Sequence, residues 1–268
     1  MKNNWRKYNG AIIPLLPPHI EVQESKNEIQ QIIEDANVFF ARWISDFDCK
    51  KDSDFWYIIH DTPMIMKDYS KNTRNQIRKG IKNFRINIID RSIVEEGGYN
   101  IYTRSFQANN TLFKMKSKEV FLKDLAGEWE FWGIYFEDTL IGYSQNKVTI
   151  DHCDYSTIKI DPYYRRRYPS YALFFKMNQY YLNEKKLTYV TDGARSLVHQ
   201  SNIQDFLINK FKFRKAFCCL HVLYPPKIRI LIDMLYPLRN IFCKINLSLF
   251  QKIGIVLRQE EIIRKQTV

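Results

Sequence analysis

Apolar positions recur along this chain at two periods, three-to-four and two, and the switches between them predict its elements. Residues 24 to 43 carry Ile29, Ile32, Ile33, Ala36, Phe39, Phe40 and Trp43 at spacings of three and four, the broad face of an amphipathic helix. The apolar run Phe55 to Ile59 predicts a short buried strand. Ser70 stands as an N-cap before KNTRNQIRKGIKNFR, a helix of about fourteen residues with Ile77, Ile81 and Phe84 at i, i+4 and i+7. Arg85 to Arg91 alternates as a strand.

From Glu128 the period is two. EWEFWGIYFED, a turn at Asp138 and Thr139, LIGYSQNKVTI and HCDYSTIKI predict a three-stranded meander closed by Pro162. Pro169 and Ser170 open a helix through YALFFKMNQYYLNEKK, because proline is accommodated at a first helical position. Leu187 to Thr191 is a further strand, Ser201 or Asn202 caps a helix through IQDFLINKF, and KAFCCLHVLY is a last apolar strand ended by Pro225 and Pro226. The order is β-β-β-α-β-α-β. After Lys227, two helices parted at Pro237 place Leu238, Ile241, Ile245 and Leu249 on one face. The expected division is an accessory half over 1–127, a core over 128–226 and basic amphipathic helices over 227–268.

With 45% hydrophobic and 15% aromatic residues, the 268-residue chain is far too apolar to be disordered. Its 41 Lys and Arg against 29 Asp and Glu leave a net charge of +12, which favours phosphates, nucleic acid or a membrane surface as partners. Lys71, Arg74, Arg78, Lys82 and Arg85 follow the helical spacing with no acid among them, a face suited to binding an anion. The cysteines Cys49, Cys153, Cys218, Cys219 and Cys243 are odd in number and without CxxC spacing, which predicts a reducing compartment. The apolar stretch Ala11 to Leu16 is broken by Pro14, so a signal peptide is not expected, and no apolar run approaches a spanning helix. The expected location is the cytoplasm; the apolar face of the basic tail fits packing on the domain, the preferred reading, or peripheral contact with the inner membrane face. No HExxH, Walker loop, GxGxxG or zinc spacing occurs, so no metal is expected.

The strand and helix order, with IDPYYRRRYPSYALFFKMNQYYL and NIQDFLINKFKFRKA, resembles the GNAT acyltransferase superfamily over about residues 128 to 226. The resemblance implies an α/β fold, a GNAT-like mixed β-sheet flanked by helices, with a partial GNAT-like or accessory half before it. It also implies acetyl-CoA or another acyl-CoA as donor, held by Ile160, Arg165, Arg166, Arg167, Ser170 and Asn202. Free N–H groups and the dipole at a helix start bind phosphate, and the three arginines add charge. Arg165 matches the family loop Arg/Gln-x-x-Gly-x-Gly/Ala, whereas Tyr168 and Ser170 stand at its small-residue positions and Pro169 lacks an N–H. Lys212 replaces the glycine of a Gly-Phe pair, and Ile208 falls where many members carry a tyrosine acid. Ser70-Lys71, Thr73-Arg74 and Ile77-Arg78-Lys79 are similar to the basic helix of Fem-type aminoacyltransferases, which have two GNAT-like halves and an aminoacyl-tRNA donor.

Acyl transfer to an amine needs a base, donors for an oxyanion and an acid for the leaving group. By the period of two, Asp154, Ser156 and Ile158 share one face of the predicted strand with His152. Asp154 and His152 are candidate bases, and Ser156 falls close to where many GNAT enzymes place a glutamate. Asp192, Arg195 and His199, in a polar loop between a strand and a helix, are candidates for acceptor binding. Tyr224 is the candidate acid in place of the missing tyrosine. The expected function is acyl transfer from coenzyme A to an amine on a small molecule or sugar precursor. The alternatives are a Fem-like transferase acting on a cell-wall precursor and a non-catalytic basic binding protein.

Overall fold

A computed structural model describes residues 4–108, 114–197, 202–242 and 248–266. His199, Ser201 and Ile245 lie outside the described residues. The chain begins with β1 (Trp5–Tyr8), β2 (Ala11–Pro14), α1 (Lys26–Ala36), β3 (Phe40–Cys49) and β4 (Trp56–His60). It continues through α2 (Lys71–Asn83), β5 (Arg85–Ile89), α3 (Arg91–Gln107) and α4 (Lys118–Asp124) to the meander β6 (Glu130–Phe136), β7 (Thr139–Val148) and β8 (His152–Ile160). Then follow α5 (Pro169–Asn178), β9 (Tyr189–Ala194), α6 (Asn202–Phe211), β10 (Arg214–Leu223), α7 (Pro226–Leu235), α8 (Arg239–Phe242) and α9 (Ser248–Gln266).

The helix expected over 24 to 43 is helical only over Lys26–Ala36, and its last four residues open β3. Ser25 and Glu28 form a reciprocal capping box at its start. Asn37 ends it in the left-handed conformation, φ 49°, with its N–H on the carbonyls of Glu34 and Ile33. Phe40 and Trp43 therefore belong to β3, not to the helical face.

The chain packs as two compact units. The first holds residues 1–57, 194–201 and 215–268. In it β1 and β2 form an antiparallel hairpin, β2 runs parallel to β3, and β3 pairs antiparallel with β10. Ile29, Ile32, Ile33 and Ala36 of α1 close over Trp5, Ile12 and Ala41. A second core joins Ala11, Phe40 and Tyr224 to Ile232 of α7 and Leu257 of α9, so the C-terminal helices are part of this unit's interior.

The second unit holds residues 58–193 and 202–214, bounds that differ from the expected 128–226. The reason is β5, which pairs antiparallel with β6 from Arg85–Tyr135 to Ile89–Phe131 and brings residues before 128 into the same sheet. β6, β7 and β8 form the expected meander, and β8 runs parallel to β9. Val94, Ile101 and Tyr102 of α3 and Phe121 of α4 pack on Phe131 and Tyr143 on one face. On the other, Asn146 reaches Met177 and Tyr181, along α5 and its continuation. Each unit is thus a mixed sheet flanked by helices, the α/β architecture the sequence predicts. Among the described residues no helix is long and apolar enough to cross a membrane.

Candidate active site

β8 and β9 lie side by side for three positions and then part. Their register pairs His152 with Tyr189, Cys153 with Val190 and Asp154 with Thr191, while β8 continues to Ile160 and β9 to Ala194. Both strands break step there. The pairing of β8 with β7 passes from Asp154–Lys147 to Thr157–Gln145, so Tyr155 and Ser156 together oppose Asn146 in a bulge, which bends the strand. On β9, Gly193 takes a φ of +88°, and its N–H donates to Thr191 Oγ1 at 2.9 Å. Thr191 in turn donates to the carbonyl of Ile58 at 2.8 Å. A fork opens directly beyond Asp154 and Thr191.

Two carboxylates stand at this fork. Burial, and then the charge of Asp154, push the Asp192 carboxyl up to about 8. Such a group is protonated at neutral pH and trades its proton in the range where a free amine forms. Behind the bulge, the buried Tyr155 hydroxyl donates to Asn178 Oδ1 at 2.8 Å, and burial raises this phenol well above its usual value. Further in, the Tyr181 hydroxyl accepts from Trp132 Nε1 at 2.9 Å and Asn146 Nδ2 at 3.0 Å and donates to Glu130. These bonds hold the α5 side of β8 rigid behind the fork.

The bulge overturns the period-of-two argument for β8. Asp154 opposes Lys147 and Thr157 opposes Gln145, residues two apart, so Asp154 shares its face with Thr157. Ile158 opposes Ser144 on the other face, and Ser156 is exposed on the bulge itself. His152 is 4% exposed, stacks on Tyr189 with ring centroids 5.1 Å apart, and binds Thr149 Oγ1 through Nδ1 at 2.6 Å. It is built into the paired start of the strand, away from the opening.

Arg195 and Tyr224 belong to the first unit. Arg195 is anchored there: its N–H donates to the Trp56 carbonyl and its guanidinium to the Asp54 carbonyl at 2.6 Å. Tyr224 packs on Phe40 at 5.7 Å, with its hydroxyl buried and without a hydrogen-bond partner. The fork of the second unit is built without either. His60, which the sequence reading passed over, is 2% exposed, stacks on Phe213 at 5.3 Å and is pushed down to about 4 by burial. Its only signal was a histidine ending an apolar strand.

Past the buried Ile160, Asp161 accepts the Tyr163 N–H at 3.0 Å and pairs with Arg104 of α3 at 2.8 Å. The turn over Pro162–Arg167 leaves Arg165 and Arg166 exposed and stacks the Arg167 guanidinium over Phe136, 5.0 Å from the ring centre. Tyr168 adopts φ +69°, the left-handed conformation, at a position where the GNAT loop has glycine. α5 then begins on Pro169 with the partly exposed Ser170, and the exposed Asn202 begins α6.

α2 is seated against this turn. Ser70 caps it by accepting the Thr73 N–H, Gly80 meets Tyr168 and Ala172, and Asn83 Nδ2 donates to the Arg167 carbonyl at 3.3 Å. Gly80, not Ile81, continues the contact from Ile77 to Phe84, and Ile81 is exposed. Of the basic stripe, Arg74 is turned onto the carbonyls of Lys67 and Tyr69, and Arg85 lies over Tyr135 beside Asp138. Lys71, Arg78 and Lys82 remain exposed, with Lys79 against the Tyr168 ring. Together with Arg165–Arg167 they form one basic surface.

No family model matches this chain. No curated protein matches it. Among solved structures it is similar to FemX, at 8% identity and a TM-score of 0.57, over 86% of this chain and 85% of that one. It is similar to the C-terminal domain of a candidate lysylphosphatidylglycerol synthetase from Agrobacterium fabrum, at 10% identity and a TM-score of 0.54, over 85% and 82%. L-PGS from Bacillus licheniformis matches at 10% identity and a TM-score of 0.53, over 96% of this chain and 84% of that one. The likeness is one of fold and spans most of the chain, beyond residues 128–226: the molecule has the α/β fold that its resemblance to GNAT and Fem-type transferases implies.

Proposed function

We propose that this chain is an acyltransferase that moves an aminoacyl group from tRNA to an amine on a cell-wall or sugar-linked precursor, with Asp192 as the proton-handling group. The observation that carries this reading is the Asp192 carboxyl beside the fork, which burial, and then the charge of Asp154, push up to about 8. The amine nitrogen bonds to the ester carbonyl carbon, the carbon–oxygen bond to the ribose breaks, and Asp192 takes the proton from nitrogen and returns it to the departing oxygen. Asp154 acts through Asp192, keeping it basic enough for that exchange. The role first considered for Asp154 thus passes to its neighbour, and His152 and Ser156 take none.

The basic surface of Lys71, Arg78, Lys82 and Arg165–Arg167 extends along a helix and a turn, which suits a long phosphate backbone better than a single pyrophosphate. The second reading, an acyl-CoA donor, is favoured by one feature, the left-handed Tyr168 at the loop's glycine position. Peripheral attachment to a membrane is part of the proposal: Ile230, Leu231, Met234, Leu238 and Ile241 are all exposed on the α7–α8 segment.

The test is to supply an amine-bearing precursor mixture with a labelled aminoacyl-tRNA pool and, separately, with labelled acetyl-CoA. Label moving from tRNA to an amide product, and lost in Asp192→Asn, supports the reading. Label moving only from acetyl-CoA transfers the site to the second reading, and movement from neither rejects both.

A further inference from the structure

Arg42 lies on β3 of the first unit, in register with Val222 of β10. It faces a cleft lined by Ile13, Pro17, Ile44, Phe55 and Leu220, and it is the one charged side chain in that lining. Its Nη1 donates to Oε1 of Gln259 at 3.2 Å, a neutral amide that is itself 1% exposed. Burial lowers the pKa of the guanidinium, and the groups that oppose that shift are the phenols of Tyr57 and Tyr8, with no carboxylate among them.

A guanidinium carries five N–H donors in a planar fork, and apolar walls withdraw the water that would otherwise satisfy them. Buried charges elsewhere in this unit are paired: Glu260, 1% exposed, is held by Arg229 at 2.9 Å and Arg264 at 2.8 Å. Arg42, partly exposed in the cleft lining, has no acidic partner among the described residues, and Gln259 takes only one of its donors. We propose that this cleft is a binding site for a carboxylate carried on an apolar body. The fork takes the two carboxylate oxygens side by side, and the hydrocarbon lies on Ile13, Ile44, Phe55 and Leu220. One positive charge in the lining matches one negative charge, so a carboxylate fits where a doubly charged phosphate monoester lacks a second cation. The inference is independent of the fork and of the donor.

Calorimetric titration of the full chain with octanoate, octan-1-ol and octyl phosphate tests it. Octanoate is expected to bind at least tenfold more tightly than octanol, and Arg42→Met to weaken octanoate at least tenfold while leaving octanol unchanged. Equal binding of octanoate and octanol, no octanoate binding at millimolar concentration, or an Arg42→Met variant that binds octanoate like the parent overturns the site. Tighter binding of octyl phosphate overturns the choice of carboxylate. Should Arg42→Met fail to fold, phenylglyoxal labelling of Arg42 in the parent, read by peptide mass, supplies the second readout. Octanoate must slow that labelling and octanol must not; labelling untouched by octanoate rejects the proposal.

Discussion

A Cβ on Gly80 would stand 2.4 Å from the carbonyl oxygen of Tyr168, so α2 and the turn before α5 meet backbone to backbone. Replacing a helical glycine by alanine ordinarily stabilises by up to about 1 kcal/mol. Here the collision reverses the sign, and Gly80→Ala is expected to cost about 1–3 kcal/mol in urea unfolding. A variant as stable as the parent would show that α2 is not seated on that turn.

Asp192 ties stability to pH. In the unfolded chain its carboxyl titrates near about 4, whereas in the folded chain it is pushed up to about 8. Between those values the folded form holds a proton that the unfolded form has released, so stability falls as pH rises, by up to about 1.4 kcal/mol per unit. Asp192→Asn is expected to remove that slope from the thermal melting profile between pH 4 and 8.

The two carboxylates are expected to behave differently in catalysis. Asp192→Asn lowers kcat by about a hundredfold or more, the loss of a general base. Asp154→Asn removes the charge that helps to hold Asp192 up, so the rate profile shifts to lower pH with turnover retained. Full activity in Asp192→Asn, with loss in Asp154→Asn, would return the base to Asp154.

Salt separates the engaged from the available cations of α2. Arg78→Ala and Lys82→Ala are each expected to reduce the slope of log K for tRNA against log salt by about 0.7–0.9. Arg85→Ala, whose side chain already lies on Tyr135 and beside Asp138, should leave the slope unchanged. A parent whose binding ignores salt would return the helix to an ordinary solvated face.

Ile230 and Met234 are 62% and 70% exposed, so replacing both by serine should leave the melting temperature unchanged. The same change is expected to reduce sedimentation with anionic vesicles. Equal sedimentation of parent and variant would detach this surface from the membrane.

Much of the fold was legible because its signals are local. The Ser70 cap, the meander from β6 to β8 and the proline opening α5 each rest on a few adjacent residues, and each stands where expected. The helix read over 24 to 43 failed at Asn37, because an apolar spacing of three and four persists in sequence after a left-handed residue has ended the helix. At the site, Asp154 and Asp192 were singled out separately, yet the parting of β8 and β9 beside them depends on the strand register, which no local pattern encodes. Tyr155 and Tyr181 were invisible for the same reason: an aromatic residue in a strand or helix reads as core until its hydroxyl partner is known.

The bulge at Tyr155 and Ser156 has the character of a wedge made of one surplus residue. Without it β8 would keep step with β7, lose its bend and stay free to continue its ladder along β9 past Asp154. The sheet would then close beyond Asp154 and Thr191, gaining backbone hydrogen bonds and losing this fork. The chain therefore forgoes part of a sheet to keep an opening between two strands, and a shortened β8 is expected to yield a sturdier protein without that opening.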